Sequence, residues 1–361
     1  MKGTVVYFFA FDVANEIRTP LVRELLSQQP FPFQIRVGGA APRDVPFYRP
    51  LTVSLKSEEL DSNVGRVTIK PFVKVFDVGV ISISYEVPFE AATLTDLVPY
   101  HLLSGNGIGL TTRAERLCGL VVANLNPFMV NPSDQRGPVE AYTAFCLEDV
   151  GGGVQEWTAA RRADIAALLC EEAISERLAR GQVDETLRLA LSYTSEDVTV
   201  IDWDAALVVD RSGYFDDVLY MIELANLQLE EYKLLDDRLD RHFLEAYVDL
   251  ERYHKARRLL FGPGPPLRAL RAYRMDITKM SEEVSNITKF VGDWYLARVY
   301  LACKDRFHLG HWESSVDQKL LELDRLYSLV QSETYERRML ALEVLIAALF
   351  LFDVLALLFR K

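Results

Sequence analysis

The chain has 361 residues and a formal net charge of −12, from 40 Lys and Arg against 52 Asp and Glu. That balance excludes a general polyanion binder, because nucleic acid needs a basic face for counterion release, and no direct nucleic-acid partner is expected. With 50% hydrophobic residues the chain can bury the cores of two domains, and four cysteines without C-x-x-C spacing (Cys118, Cys146, Cys170, Cys303) read as reduced thiols, not a disulfide framework.

In chain order, the apolar run from Thr4 to Phe11 predicts a buried first strand, not a secretory signal. Thr19 and Pro20 are placed to start a short helix through Leu21, Val22, Leu25 and Leu26. Residues 29 to 50, with five prolines and a Gly-Gly pair, read as irregular connection. Residues 66–70, 73–76 and 80–85 predict three strands, with a turn or bulge at Asp77-Val-Gly79. A strand at 141–147 is followed by the Gly151-Gly-Gly153 break and a helix over about 156–179. Two further strands, 197–201 and 205–209, flank Trp203. Strands and helices interleave without a strict βαβ rhythm, which predicts an α+β N-terminal domain over 1–210.

From Phe215 the period changes to seven. Phe215, Ile222, Leu229, Phe243 and Leu250 mark one seam, with Asp236 as a polar break; Leu239 belongs to the other. Phe261-Gly-Pro-Gly-Pro-Pro266 ends this helix and starts another carrying Ile277, Val284, Val291 and Trp294. A five-residue tip requires the two helices to run antiparallel, and a third helix begins near Trp312. These long antiparallel coiled-coil-like helices form a stalk over 212–338. The seam residues are the expected helix-packing or oligomer interface.

The chain closes on residues 339–359, MLALEVLIAALFLFDVLALLF, followed by Arg360 and Lys361. Twenty-one residues at the helical rise span about 31 Å, close to the ~30 Å hydrocarbon core of a bilayer, and predict a C-terminal transmembrane helix. Leu345, Phe350, Phe352, Asp353 and Leu357 are its expected membrane residues, and the bulk of the chain is then cytoplasmic. Two acids count against this reading: Glu343 lies one turn in, within reach of the headgroups, but Asp353 is deeper, and a carboxylate there costs roughly 2.5–3.5 kcal/mol. The alternative is an apolar helix buried in a bundle or an oligomer core. An apolar tip at Leu260 and Phe261, with arginines on either side, adds an expected lipid contact.

Motifs with chemical content are few. Gly105-Asn-Gly107-Ile-Gly109 has bare amides that suit an anion, yet lacks the full G-x-G-x-x-G order and a following Lys-Ser/Thr. Asp202 and Asp204 flank Trp203 at a spacing that puts both on one face of a strand, a candidate acid–base or metal pair or a solvated edge. His308, His311 and Glu313 have metal-ligand character, but Gly310 marks an ordinary inter-helix turn. Asp96, His101 and Glu140 form no recognisable constellation.

The layout resembles the Required-for-meiotic-nuclear-division family. The residues that carry the likeness are Val73-Lys-Val-Phe-Asp-Val-Gly-Val-Ile81, Val200-Ile-Asp-Trp-Asp-Ala-Ala-Leu-Val208, 290–300, 316–327 and the apolar close. The resemblance implies a membrane-anchored protein that forms homo-oligomers and carries no established catalytic residues. The leading expectation is therefore a membrane-anchored, homo-oligomerising scaffold without catalytic activity, metal or cofactor. Its partners are lipid, itself and possible proteins. The alternative is a soluble or membrane-associated enzyme using the 105–109 loop or the 308–313 turn.

Overall fold

The computed structural model describes residues 1–22, 34–35, 50–132, 139–255 and 294–359. The strands are β1 (Lys2–Asp12), β2 (Ala14–Ile17), β3 (Gln34–Ile35), β4 (Leu51–Ser54), β5 (Glu58–Ser62), β6 (Gly65–Val75), β7 (Val80–Glu90), β8 (Ser104–Gly105), β9 (Ile108–Gly109), β10 (Met129–Pro132), β11 (Glu140–Asp149), β12 (Ala190–Leu191), β13 (Asp197–Ile201) and β14 (Ala205–Asp210). The helices are α1 (Leu110–Leu125), α2 (Val154–Ala160), α3 (Arg162–Leu169), α4 (Arg180–Thr186), α5 (Asp216–Lys255), α6 (Trp294–Arg306) and α7 (Leu309–Phe359).

Twelve strands form one sheet in the order β12-β13-β14-β11-β1-β7-β6-β5-β8-β9, with β4 on β6 and β3 on β4. Pairing is antiparallel except between β11 and β14, so the sheet is mixed. Alternation along the strands separates its two faces. Val5, Tyr7, Phe9 and Phe11 of β1 and Ile81, Ile83 and Tyr85 of β7 join a core with Leu110 and Ala114 of α1 and Ile165 and Leu168 of α3. Ser82, Tyr142 and Thr199 point to the opposite face, where Glu223 of α5, Phe307 and Tyr295 of α6 meet them.

The expected split between strands 66–70 and 73–76 is absent: β6 runs through Pro71. The proline sits where the partner on one edge changes from β5, paired up to Ile69, to β4, paired from Phe72. No ladder hydrogen bond needs an N–H there, which is why the sheet tolerates it. The expected helix over 156–179 is two short helices, α2 and α3, and the stretch 100–138 contains α1.

The chain divides into two compact units, Met1–Leu234 with Glu282–His311, and Leu235–Ser281 with Trp312–Lys361. In the first, every α5 residue from Tyr220 to Tyr232 is buried. Ile222 and Leu229 are core residues there, beside buried Glu223, Asn226 and Gln228. This segment is therefore a central helix, not a two-seam coil. Phe215 is buried, whereas Trp294 is 78% exposed. In the second unit Leu239, Val316 and Leu323 are buried. The polar break in the seam also has a role there: Lys319 reaches Asp236 at 2.8 Å and Asp240 at 2.6 Å. Phe243 is half-buried. The Leu250 side chain, Ile277, Val284, Val291, the tip Leu260 and Phe261, the segment 29–49 apart from 34–35, and Leu25 and Leu26 lie outside the described residues.

The C-terminal membrane helix is corrected. Among the described residues no helix is long and apolar enough to cross a membrane. The tail is the end of the 51-residue helix α7. Glu343 and Asp353 leave an uninterrupted apolar run of nine residues, 344–352, which at the helical rise covers about 14 Å, half of a ~30 Å hydrocarbon core. Leu345, Phe350 and Phe352 stand exposed on it; the side chains of Asp353 and Leu357 are outside the description. The expected fold class is thus replaced by a large mixed-sheet N-terminal domain followed by helices.

Candidate functional site

The sequence placed Asp202 and Asp204 on one strand face. They lie instead in the turn between β13 and β14, closed by the Asp202 N–H donating to Ala205 O at 2.9 Å. The turn sends Asp202 inward, where it is buried, and leaves Trp203 and Asp204 exposed. Tyr142 of β11 donates its hydroxyl to the Asp202 carbonyl at 2.9 Å and fixes the turn to the sheet.

Arg306, the last residue of α6, is the buried partner of Asp202, with Nη1 3.4 Å from Oδ1. The same guanidinium donates to Glu185 Oε1 at 3.1 Å, to the carbonyls of Glu185 at 2.8 Å and Thr186 at 3.3 Å, and from Nε to Ile201 O at 3.2 Å. All three nitrogens are engaged, so the group clamps the end of α4 to the β13–β14 turn and leaves no free fork for an anionic ligand. Burial pushes the Asp202 carboxyl above its ordinary value, and Arg306 pulls it back without reversing the shift. Cys170 Sγ lies 3.4 Å from Thr186 Oγ1 and 3.9 Å from Asp202 Oδ2. It occupies the C-cap of α3, between the Thr186 hydroxyl and the Asp202 carboxylate.

His308 and His311 come to the same corner. The His308 ring stands edge-on to Trp203 at 4.8 Å and to His311 at 5.6 Å. His308 takes φ +51°, the left-handed turn that ends α6. Among the described residues no three His, Cys, Asp or Glu side chains are arranged to hold a metal ion. The fold thus gathers Asp202, Trp203, Asp204, His308 and His311, residues that the sequence offered as unrelated candidates. It does not gather Asp96, whose carboxylate accepts the Ala92 and Thr93 N–H groups of a local turn, or Glu140, which pairs with Lys233 of α5.

The glycine loop is a hairpin. Asn106 (φ +54°) and Gly107 (φ +74°) form a two-residue turn between β8 and β9, the conformation that Asn-Gly favours. A Cβ on Gly105 would lie 2.1 Å from the Leu60 side chain, so this glycine serves close packing against β5.

Sequence reasoning missed the polar contact of α5 with the sheet. Glu223 is buried between Lys74 and Ser82, accepting from Ser82 Oγ at 2.7 Å and pairing with Lys74 Nζ. Lys74 and Ser82 are cross-strand partners in β6 and β7. The signal available was the alternation of Lys70, Lys74, Ser82 and Ser84 on one sheet face, which asks for a polar partner above it.

Residues 2–216, the entire sheet and the start of α5, match the family model described as Uncharacterized protein MJ0711, N-terminal domain. The chain belongs to that family. It is 22% identical over 220 residues to Uncharacterized protein MJ0711 of Methanocaldococcus jannaschii, an alignment covering 60% of this chain and 65% of that protein. No solved structure matches the chain. Within the MJ0711 domain fall Lys74, Ser82, Cys170 and Asp202, while Glu223 and Arg306 lie beyond the matched residues and reach back into it.

Proposed function

We propose that this protein is a non-catalytic assembly module, in which the terminal part of α7 joins a second copy of the chain and the MJ0711-type domain is the cargo so brought together. One observation carries this reading: the four consecutive residues Leu349 to Phe352 are each more than half exposed. At 100° per residue they cover the whole circumference of the helix, and a helix apolar all round is stable only when covered. Seven of the nine residues in 344–352 are large and apolar, and at roughly 100 Å² of apolar surface each they present about 700 Å², on the order of the ~800 Å² per partner of a standard interface. Glu343 and Asp353 bound the run, which sets the length of a short bundle core with charged ends. The resemblance to the Required-for-meiotic-nuclear-division family implies the same kind of self-association. The fully engaged Arg306 and the hairpin at 105–109 favour a structural role over chemistry at either place.

The test is the solution mass of the full chain by size exclusion with light scattering, beside Leu345→Asp with Phe350→Asp. An oligomer that becomes monomeric in the variant is the expected result. A wild-type chain that is monomeric in buffer and floats with phosphatidylcholine vesicles contradicts self-assembly and assigns the segment to lipid. A monomer that does neither overturns the reading.

A further inference from the structure

We propose that His101 and Glu171 form a pH-operated latch: the imidazolium form of His101 grips the Glu171 carboxylate and fastens the turn after α3 to the segment 95–101, and the neutral form lets it go.

The end of α3 explains why a glutamate at this place needs a reason. Glu172 N–H donates to Ala167 O at 2.9 Å and Glu171 N–H to Leu168 O at 3.2 Å, the paired bonds of a Schellman turn. Glu171 occupies its left-handed position at φ +57°, where glycine is the residue without a steric cost. The side chain that bears this cost ends with Oε1 3.3 Å from His101 Nδ1.

The other ring nitrogen fixes the protonation chemistry. His101 Nε2 lies 2.7 Å from Leu168 O, which only accepts, so Nε2 carries a proton in both forms of the ring. In the neutral ring Nδ1 then presents its lone pair to the Glu171 carboxylate, a repulsive pairing. Protonation at Nδ1 converts it into a charge-assisted hydrogen bond. The Glu171 side chain is half exposed and the His101 side chain is buried, so release moves the carboxylate, not the imidazole.

Among the described residues the titratable groups acting on the ring are Glu171 from the end of α3 and Asp204 from the β13–β14 turn; the Phe145 ring of β11 lies 4.9 Å away. Burial is the largest influence and holds the imidazole below its ordinary 6.5, while the Leu168 carbonyl, Glu171 and Asp204 pull it upward. The latch therefore closes on the acid side of 6.5. The adjoining residue, Cys170, touches Thr186 and lies near Asp202, so closure steadies the ground on which the Arg306 clamp rests.

The experiment is an NMR titration of the full chain, with His101 assigned by comparison with His101→Gln. The expected result is a His101 midpoint below 6.5 that moves to still lower pH in Glu171→Gln, with the Glu171 amide following the same midpoint in the wild type. A midpoint unmoved in Glu171→Gln, or a Glu171 amide that does not follow it, overturns the latch. Glu171→Gly supplies a second readout that does not depend on assignment. It removes the carboxylate and relieves the backbone, so its denaturation midpoint rises above neutral pH and the gain shrinks on acidification. An equal gain at every pH overturns the proposal.

Discussion

Lys74 and Ser82 face each other across β6 and β7, and both close on the carboxylate of Glu223. Three chain segments, two of them in the MJ0711-type domain and one beyond it, are thereby joined at a buried charge. An ion pair taken out of water contributes little net stability, but removing one partner leaves the other stranded. Lys74→Met should cost about 3–5 kcal/mol in urea unfolding. Replacing the set by apolar groups, Lys74→Met with Ser82→Ala and Glu223→Leu, should recover most of that loss. A small effect of Lys74→Met alone would show that Glu223 finds another partner.

Arg306 and Asp202 make a second buried pair, with a distinct pH signature. The folded Asp202 carboxyl lies above its ordinary 3.8 because burial outweighs Arg306. A carboxyl raised in the fold prefers its proton there, so its contribution to stability is full below 3.8 and is lost as pH rises through the folded value. Arg306→Leu removes the group that opposes the shift. It should cost about 3–5 kcal/mol near neutral pH and extend the loss to higher pH, while Arg306→Leu with Asp202→Asn should remove the extension. Denaturation midpoints across an acid-to-neutral series decide this.

Gly3 lies where β1 and β11 shift register. A Cβ there would stand 1.9 Å from the carbonyl oxygen of Cys146, a backbone atom of a central strand that cannot turn aside. Gly3→Ala should lower stability by about 3 kcal/mol. Gly152→Ala is the control: nothing lies within 4 Å of its added Cβ, so a change within about 0.5 kcal/mol is expected. Equal thermal shifts in the two variants would contradict the packing account of Gly3.

How far the sequence disclosed the fold depends on the range over which each decision is made. Strand β7 was legible because Val80 to Tyr85 alternates by itself, and Asp197–Ile201 because β-branched residues run to a turn. Pro71 misled, since a proline reads as a strand end unless the neighbouring strand is known to change there. The partnership of Asp202 with Arg306 joins residues 104 positions apart, and no local pattern announces it. The same is true of Glu223, which in sequence is one acid on an amphipathic helix. The tail misled differently: the total length of 339–359 was given more weight than the two acids, Glu343 and Asp353, that leave only nine apolar residues between them. The corner of Asp202, Trp203, Asp204, His308 and His311 was visible residue by residue, but its assembly was not.

The central claim, that α7 ends against a second copy of itself, is tested most directly by a nitroxide on Phe352→Cys. The background is Cys170→Ser, since Cys118, Cys146 and Cys303 are buried and Cys170 is partly exposed. Packed helices lie about 8–10 Å apart, so two copies joined here should give a spectrum strongly broadened by spin–spin coupling. Dilution with unlabelled chain should restore sharp lines. A spectrum that is sharp without dilution would contradict the account.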